Sequence, residues 1–151
     1  MPRPIIPPPL QALAVALGMA AAARWLPPAA VAVPGQTLIA AGLAGLGLAI
    51  DLVSVLRFWR QKTTVNPLRP EAASRLVISG LYRVSRNPMY LGMALILAGW
   101  AVWLGHAIAA AGPFLFMLVL TRVQILPEEA ALEARFGDDY RAYKARVRRW
   151  I

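Results

Sequence analysis

Two short blocks hold most of the residues able to do chemistry. The first is Ser79-Gly80-Leu81-Tyr82-Arg83-Val84-Ser85-Arg86-Asn87-Pro88-Met89-Tyr90-Leu91-Gly92. The second is Pro127-Glu128-Glu129, followed by Leu132, Phe136, Tyr140, Tyr143, Val147 and Trp150 at spacings of three and four. Pro88 fits the first turn of a helix, where its missing N–H costs nothing. A helix starting there offers free backbone N–H groups and a positive dipole end. Beside Arg83 and Arg86, that end suits an anionic ligand group. Tyr and Arg are also ordinary anchors at headgroup level, so the block reads equally as interfacial. Glu128 and Glu129 can hold a cation or an ammonium, or sit as favourable charges in the first turn of a tail helix. With no cysteine and a single histidine, His106, the chain has no thiol nucleophile, no disulfide framework and no Cys-ligated or His-rich metal site.

The elements that position these blocks are apolar. Of 151 residues 59% are hydrophobic and 15% charged; a soluble domain carries roughly 25% charged residues. Pro4 to Ala23, Trp25 to Ile50 and Asn87 to Thr121 contain no Asp, Glu, Lys or Arg. A membrane-spanning helix needs about 20 apolar residues. The first run supplies a span over about Leu10–Leu26. It reads as a retained helix and not a cleaved leader, because Pro7, Pro8 and Pro9 sit poorly in a signal peptide. The second run predicts a helix over Gln36–Trp59, after the breakers Pro27, Pro28 and Pro34. The third is interrupted at Gly105, Gly112 and Pro113, which predicts a hairpin of Pro88–Leu104 and Ile108–Ile125.

The expected fold is therefore all-α: one membrane domain over residues 1–151 with four transmembrane helices and an amphipathic C-terminal helix. The first two spans form an N-terminal part, 1–62. The chemistry-bearing part is 63–151.

The net charge of +9 would suggest nucleic acid in a soluble protein. Here the basic residues lie in two segments: Arg57, Arg60, Lys62, Arg69, Arg75, Arg83 and Arg86, then Arg122, Arg135, Arg141, Lys144, Arg146, Arg148 and Arg149. Lys and Arg in short loops face the cytoplasm. Both termini and the 60–87 loop are thus expected inside, against anionic lipid, and a nucleic-acid partner is excluded. His106 falls at the outer turn and reads as interfacial. Gly42, Gly45 and Gly47, like Ala14, Gly18 and Ala22, read as small-residue helix contacts, not a nucleotide loop. Asp51 lies inside the second span, where a carboxylate is expensive; pairing with a basic residue and a role in a polar pocket both stay open. The tail's apolar residues predict a helix lying on the membrane or over a partner surface.

The two blocks together resemble the isoprenylcysteine carboxyl methyltransferase family and related phospholipid methyltransferases. The family motif Arg-His-Pro-x-Tyr is similar to Arg86-Asn87-Pro88-Met89-Tyr90, with Asn87 in place of His. The family's second block resembles Glu128-Glu129, Leu132, Phe136-Gly137, Tyr140 and Tyr143. The resemblance covers about Thr63 to Ile151. It implies an integral-membrane methyltransferase using S-adenosylmethionine and yielding S-adenosylhomocysteine, with the cofactor at the cytoplasmic end of the last two spans.

Cofactor contacts are then expected from Tyr82, Arg83, Arg86, Asn87, Pro88, Tyr90, Leu91, Glu128, Glu129, Tyr140 and Tyr143. Arg83 or Arg86 would take the cofactor carboxylate and a Glu its ammonium. Glu129, a candidate base for an amine acceptor, and Arg146 carry the catalytic assignment. The acceptor is expected to be lipidic or a small hydrophobic carboxylate or amine, and the location a bacterial inner membrane. A non-enzymatic helical scaffold binding headgroups is the alternative.

Overall fold

A computed structural model describes residues 6–27, 29–60 and 76–151, with Phe58, Trp59 and Arg60 in backbone only. The segment 61–75, with Lys62, Arg69, Arg75 and the expected 62/63 boundary, lies outside the described residues. The described chain is all-α. Five helices follow in order: α1 Pro8–Trp25, α2 Gln36–Arg60, α3 Pro88–Leu104, α4 Gly112–Leu120 and α5 Leu126–Arg146. Short 3-10 turns occupy Gly80–Arg83 and Ala109–Ala111.

Helix boundaries follow the local chemistry. Prolines stand in the first turns of α1 and α3, where no N–H is needed. Gly105 ends α3 in the left-handed conformation at φ 58°, and its N–H caps the Ala101 and Val102 carbonyls. Between α4 and α5 the helix does not stop at Pro127. Thr121–Ile125 forms a π-helical turn that runs straight on into α5. Proline inside a helix removes an i→i−4 bond and clashes one turn back; a wide turn just before Pro127 absorbs the misfit. The expected separate tail helix is thus a continuation of the apolar helix before it. The rod kinks further on, at Gly137, whose φ of 53° and ψ of −124° are not helical.

α2 and α3 meet backbone to backbone. A Cβ on Gly47 would lie 2.5 Å from the Gly92 carbonyl oxygen, and one on Gly99 2.7 Å from that of Ala40. Such close approach needs small residues. Of the small-residue contacts expected from sequence, Gly47 makes one. Gly18, Gly42 and Gly45 do not, since a Cβ there meets nothing within 4 Å. They lie on faces turned from the other helices. α1 packs on α3 and α4, with Met19 seated against Gly112.

Large apolar side chains cover the outside, among them Leu17, Leu38, Leu52, Phe114 and Leu118. Gln36–Arg57 and the helix beginning at Ala109 are long and apolar enough to cross a membrane; α3 is shorter, at 17 residues.

At the end of the bundle away from the two blocks, the 27–36 turn is stapled to the α3–α4 turn. Val31 N–H donates to Gly105 O at 2.8 Å, Ala107 N–H to Ala29 O at 2.9 Å, and Gln36 Nε2 to Trp103 O at 3.0 Å. His106 sits in this turn as expected. It is buried, however, with Nε2 3.3 Å from Pro27 O, because the stapled strand covers it.

Candidate functional site

Both chemical blocks converge at one end of the bundle, and the C-terminal segment folds over them. The 3-10 turn Gly80–Arg83 and the N-terminus of α3 supply one wall. The π turn and α5 supply the other. The tail is tied down by its own carbonyls. Arg86 Nη1 donates to Val147 O at 2.7 Å and Lys144 O at 3.2 Å, and Arg86 N–H donates to Arg148 O at 3.0 Å. Such carbonyls at a helix C-terminus lack intrahelical donors, and the guanidinium supplies them. Asn87 Nδ2 and Ser85 Oγ both donate to Arg149 O, at 3.0 and 3.4 Å. Tyr143 Oη donates to Tyr82 O at 2.7 Å.

The adjacent carboxylates occupy opposite electrostatic states. Glu129 is buried and held between two guanidiniums. Arg86 Nη2 reaches Oε1 at 2.7 Å, while Arg149 reaches Oε1 at 3.0 Å and Oε2 at 2.8 Å. Burial alone would raise its carboxyl, but the Arg149 and Arg86 hydrogen bonds outweigh it and hold Glu129 below the ordinary range. An anion so firmly ionised is a poor proton acceptor, and the trio carries a net positive charge.

Glu128 follows the apolar stretch of this helix and is half-buried. Its partners are neutral: Tyr90 Oη donates at 2.7 Å, and Gln124 Nε2 donates from one turn back. Burial pushes its carboxyl up to about 7; the Gln124 and Tyr90 bonds oppose that, and the Glu129 charge adds to it. A half-buried carboxylate with neutral donors is matched by a cationic ligand group.

The remaining expected residues divide. Tyr82, Pro88, Tyr90, Tyr140 and Tyr143 are buried at the convergence, and Arg86, Asn87, Glu128 and Glu129 join there. The Tyr82 phenol is pushed up by burial, then by Tyr143, Glu128 and Asp51. Leu91 is half-buried and closes the first turn of α3 through its N–H to Asn87 O at 2.9 Å. Arg83 is exposed. Arg146 does not join the site: it is exposed, and its Nε donates to Ala142 O one turn back on its own helix. The helix ends at Arg146, so only the extended residues after it can turn inward, and Arg149 makes the pair with Glu129.

The tail's apolar face is also spent within the protein. Tyr140, Tyr143 and Val147 pack with Leu76, Leu132 and Phe136, and Trp150 docks on the helical core with Nε1 3.3 Å from Thr121 Oγ1.

Sequence reasoning missed Ser85, Gln124 and Arg149. Gln124 had a signal: a lone amide in an apolar span, four residues before Glu128 and so on its face. Arg149 had none among seven basic residues of the tail.

The sequence profile described as phospholipid methyltransferase matches residues 36–139. A Haemophilus influenzae protein described only as uncharacterized is 51% identical over 63 residues, which are 42% of this chain and all of that protein. Protein-S-isoprenylcysteine O-methyltransferase of Schizosaccharomyces pombe is 36% identical over 75 residues, 48% of this chain and 30% of the relative. Methanethiol S-methyltransferase 1 of Bradyrhizobium diazoefficiens is 44% identical over 70 residues, 44% of this chain and 22% of the relative. The matches thus span less than a third of either methyltransferase. No solved structure matches the chain.

Proposed function

This chain belongs to the phospholipid methyltransferase family, and from that premise we propose that it is an integral-membrane methyltransferase that uses S-adenosylmethionine to methylate a lipidic or small hydrophobic acceptor. The observation that carries the reading is the pair Glu128 and Glu129. One faces neutral donors and suits an ammonium or sulfonium; the other gathers two guanidiniums whose excess positive charge suits a carboxylate. An amino-acid-bearing sulfonium presents both groups a few bonds apart. The buried rings of Tyr90 and Tyr140 supply aromatic surface beside them.

When bound, the cofactor supplies an already activated methyl group. The chain's residues then have to align, enclose and exclude water. Arg86, Asn87 and Ser85 do the enclosing, by fastening the tail across the site. Glu128 holds positive charge. The membrane arrangement proposed with this function has four spans, α1, α2, α3 and the Ala109–Ile125 helix, in a bacterial inner membrane. Both termini face the cytoplasm, where the cofactor pool lies. The acceptor then enters from the bilayer side.

Calorimetry of the full chain in detergent with S-adenosylhomocysteine tests cofactor use. Incubation with methyl-labelled cofactor and fractionated lipid extract tests transfer. Saturable binding and a labelled lipidic product are expected. Absence of binding would leave the non-enzymatic scaffold reading in its place.

A further inference from the structure

The wide turn that joins the apolar helix to α5 carries a fully buried amide. Within Thr121–Ile125, Arg122 and Val123 face outward, while Gln124 and Ile125 are wholly enclosed. An amide taken out of water costs free energy unless it is hydrogen-bonded, and polar side chains in apolar helices are kept for a use. Absorbing the Pro127 misfit accounts for the turn but not for an amide in it. Leu120 and Ile125, equally buried beside it, are apolar. π turns recur at functional sites, and the contact that Gln124 makes gives this one a task. Its Nε2 donates to Glu128 Oε1.

The same oxygen takes a second donor. Tyr90 Oη reaches Oε1 from α3 at 2.7 Å. Two neutral donors, from opposite walls of the site, thus meet on Oε1. Among the described residues no donor reaches Oε2. Glu128 is half-buried, so Oε2 is the oxygen left for a ligand. Glu129 differs, because Arg149 and Arg86 occupy both of its oxygens. A carboxylate held by one donor can still turn about that bond. Two donors from separate elements fix its plane and keep the other oxygen aimed. They also favour the ionised form, against the burial that raises the carboxyl to about 7.

Resting on the methyltransferase reading, we infer that Gln124 is a positioning residue for ligand binding: it acts through Glu128, holding that carboxylate by Oε1 so that Oε2 meets the positive group of the bound ligand. Gln124 lies outside both chemical blocks of the sequence. The wide turn carries it, one turn before the Glu pair, into the wall that faces Tyr90. Tyr90 alone would leave the carboxylate free to swing and with one donor fewer for its charge.

The test uses the full chain in detergent and follows S-adenosylhomocysteine affinity by calorimetry from about pH 5.5 to about pH 8.5, a range that brackets the Glu128 carboxyl. Wild type should lose affinity as pH falls through about 7, where Glu128 gains its proton. Gln124→Met keeps the length of the side chain and removes its amide. It should bind about tenfold more weakly at about pH 6.5, the effect of losing one hydrogen bond to a charged group. The gap should narrow toward the alkaline end, where the carboxyl ionises without that donor. Gln124→Asn draws the amide back by one carbon and should move the profile the same way, which keeps the test if the Met variant does not fold. A merely structural role would lower affinity by one factor at every pH, and that result overturns the inference. So does an identical profile in wild type and Gln124→Met. A wild-type affinity flat across the range overturns it with no variant needed. Wild type that binds no S-adenosylhomocysteine at any pH sinks the methyltransferase reading instead, and is seen before either variant is made.

Discussion

Arg149 grips both oxygens of Glu129, at 3.0 and 2.8 Å, while Arg86 holds Oε1 from the other side at 2.7 Å. This one carboxylate therefore fastens the C-terminal segment to the start of α3. Glu129→Ala leaves two guanidiniums facing each other in a largely buried place. Removing one partner of a buried pair costs about 3–5 kcal/mol, and the partial exposure of Arg149 puts the expected loss at the lower end. The tail should open, read as faster tryptic cleavage after Arg146 and Arg148. Arg149→Lys keeps the charge but loses the fork, and should give an intermediate rate. Wild-type cleavage in Glu129→Ala would remove the clamp from the account.

Acid should act on the same clamp. Glu129 is held below its ordinary value near 4.5. A depressed carboxyl contributes stability that is present above its unfolded value and lost as pH falls through its folded one. Tail protection should hold at neutral pH and fail only below about pH 4.5. In Glu129→Gln this acid step should disappear. A step that persists in that variant belongs to another group.

Glu128 predicts the opposite sign. Its carboxyl is raised from 4.5 to about 7, so its ionisation opposes the folded state increasingly as pH rises between these values. A ligand bringing an ammonium favours the ionised form and should expel a proton at pH 6.5. Calorimetry with S-adenosylhomocysteine in phosphate and in Tris should then give different observed enthalpies. In Glu128→Gln the two buffers should agree. Agreement in wild type would mean that no proton leaves, and would take the ligand's ammonium away from Glu128.

How much of this was legible in the sequence depends on range. Helix limits were readable because they are set locally: Pro88 opens α3, Gly105 closes it, and the charge-free runs give the apolar stretches. The convergence of Arg86, Asn87, Tyr90 and the Glu pair was readable because a hairpin returns its two ends to one side. The tail was not. Its spacing announced one amphipathic helix, but Gly137 kinks it and the chain leaves helix after Arg146. Residues beyond that point no longer follow a helical period. Arg146, the last helical residue, stays on its own helix, while Arg149 lies in the stretch that no period describes. The close α2–α3 contact through Gly47 was likewise hidden, since Gly42 and Gly45 carry the same signal on another face.

Orientation in the membrane is tested at the far turn. His106 is buried, so the adjacent exposed Ala107 is the better reporter, with Asp138 on the tail as its counterpart. Ala107→Cys in intact cells should react with an impermeant maleimide, and Asp138→Cys only after lysis. The reverse pattern would place the Glu pair on the outer side, away from the cytoplasmic pool of the proposed cofactor.

Asn87 is the residue at which this chain departs from the histidine of the motif it resembles, and its contacts show what the position does here. Its side chain does not cap α3. It turns toward the tail, and Nδ2 donates to the Arg149 carbonyl at 3.0 Å, while its backbone N–H is taken by Ser85 Oγ at 3.1 Å. The task is donation of one hydrogen bond across to the chain that covers the site. An imidazole N–H can do the same, in the neutral or the protonated ring. Asn87→His should therefore retain tail protection and S-adenosylhomocysteine affinity between pH 6 and 8. Asn87→Leu removes the donor and leaves the carbonyl only the longer Ser85 bond at 3.4 Å. A lost hydrogen bond of this kind costs about 1–2 kcal/mol, which should appear as a roughly tenfold weaker affinity with faster tail cleavage. If the affinity of Asn87→His falls as the ring gains its proton, the position senses charge and its role is more than donation. If Asn87→Leu binds as tightly as wild type, the bond to Arg149 does not hold the cover closed, and the Glu129 clamp alone does.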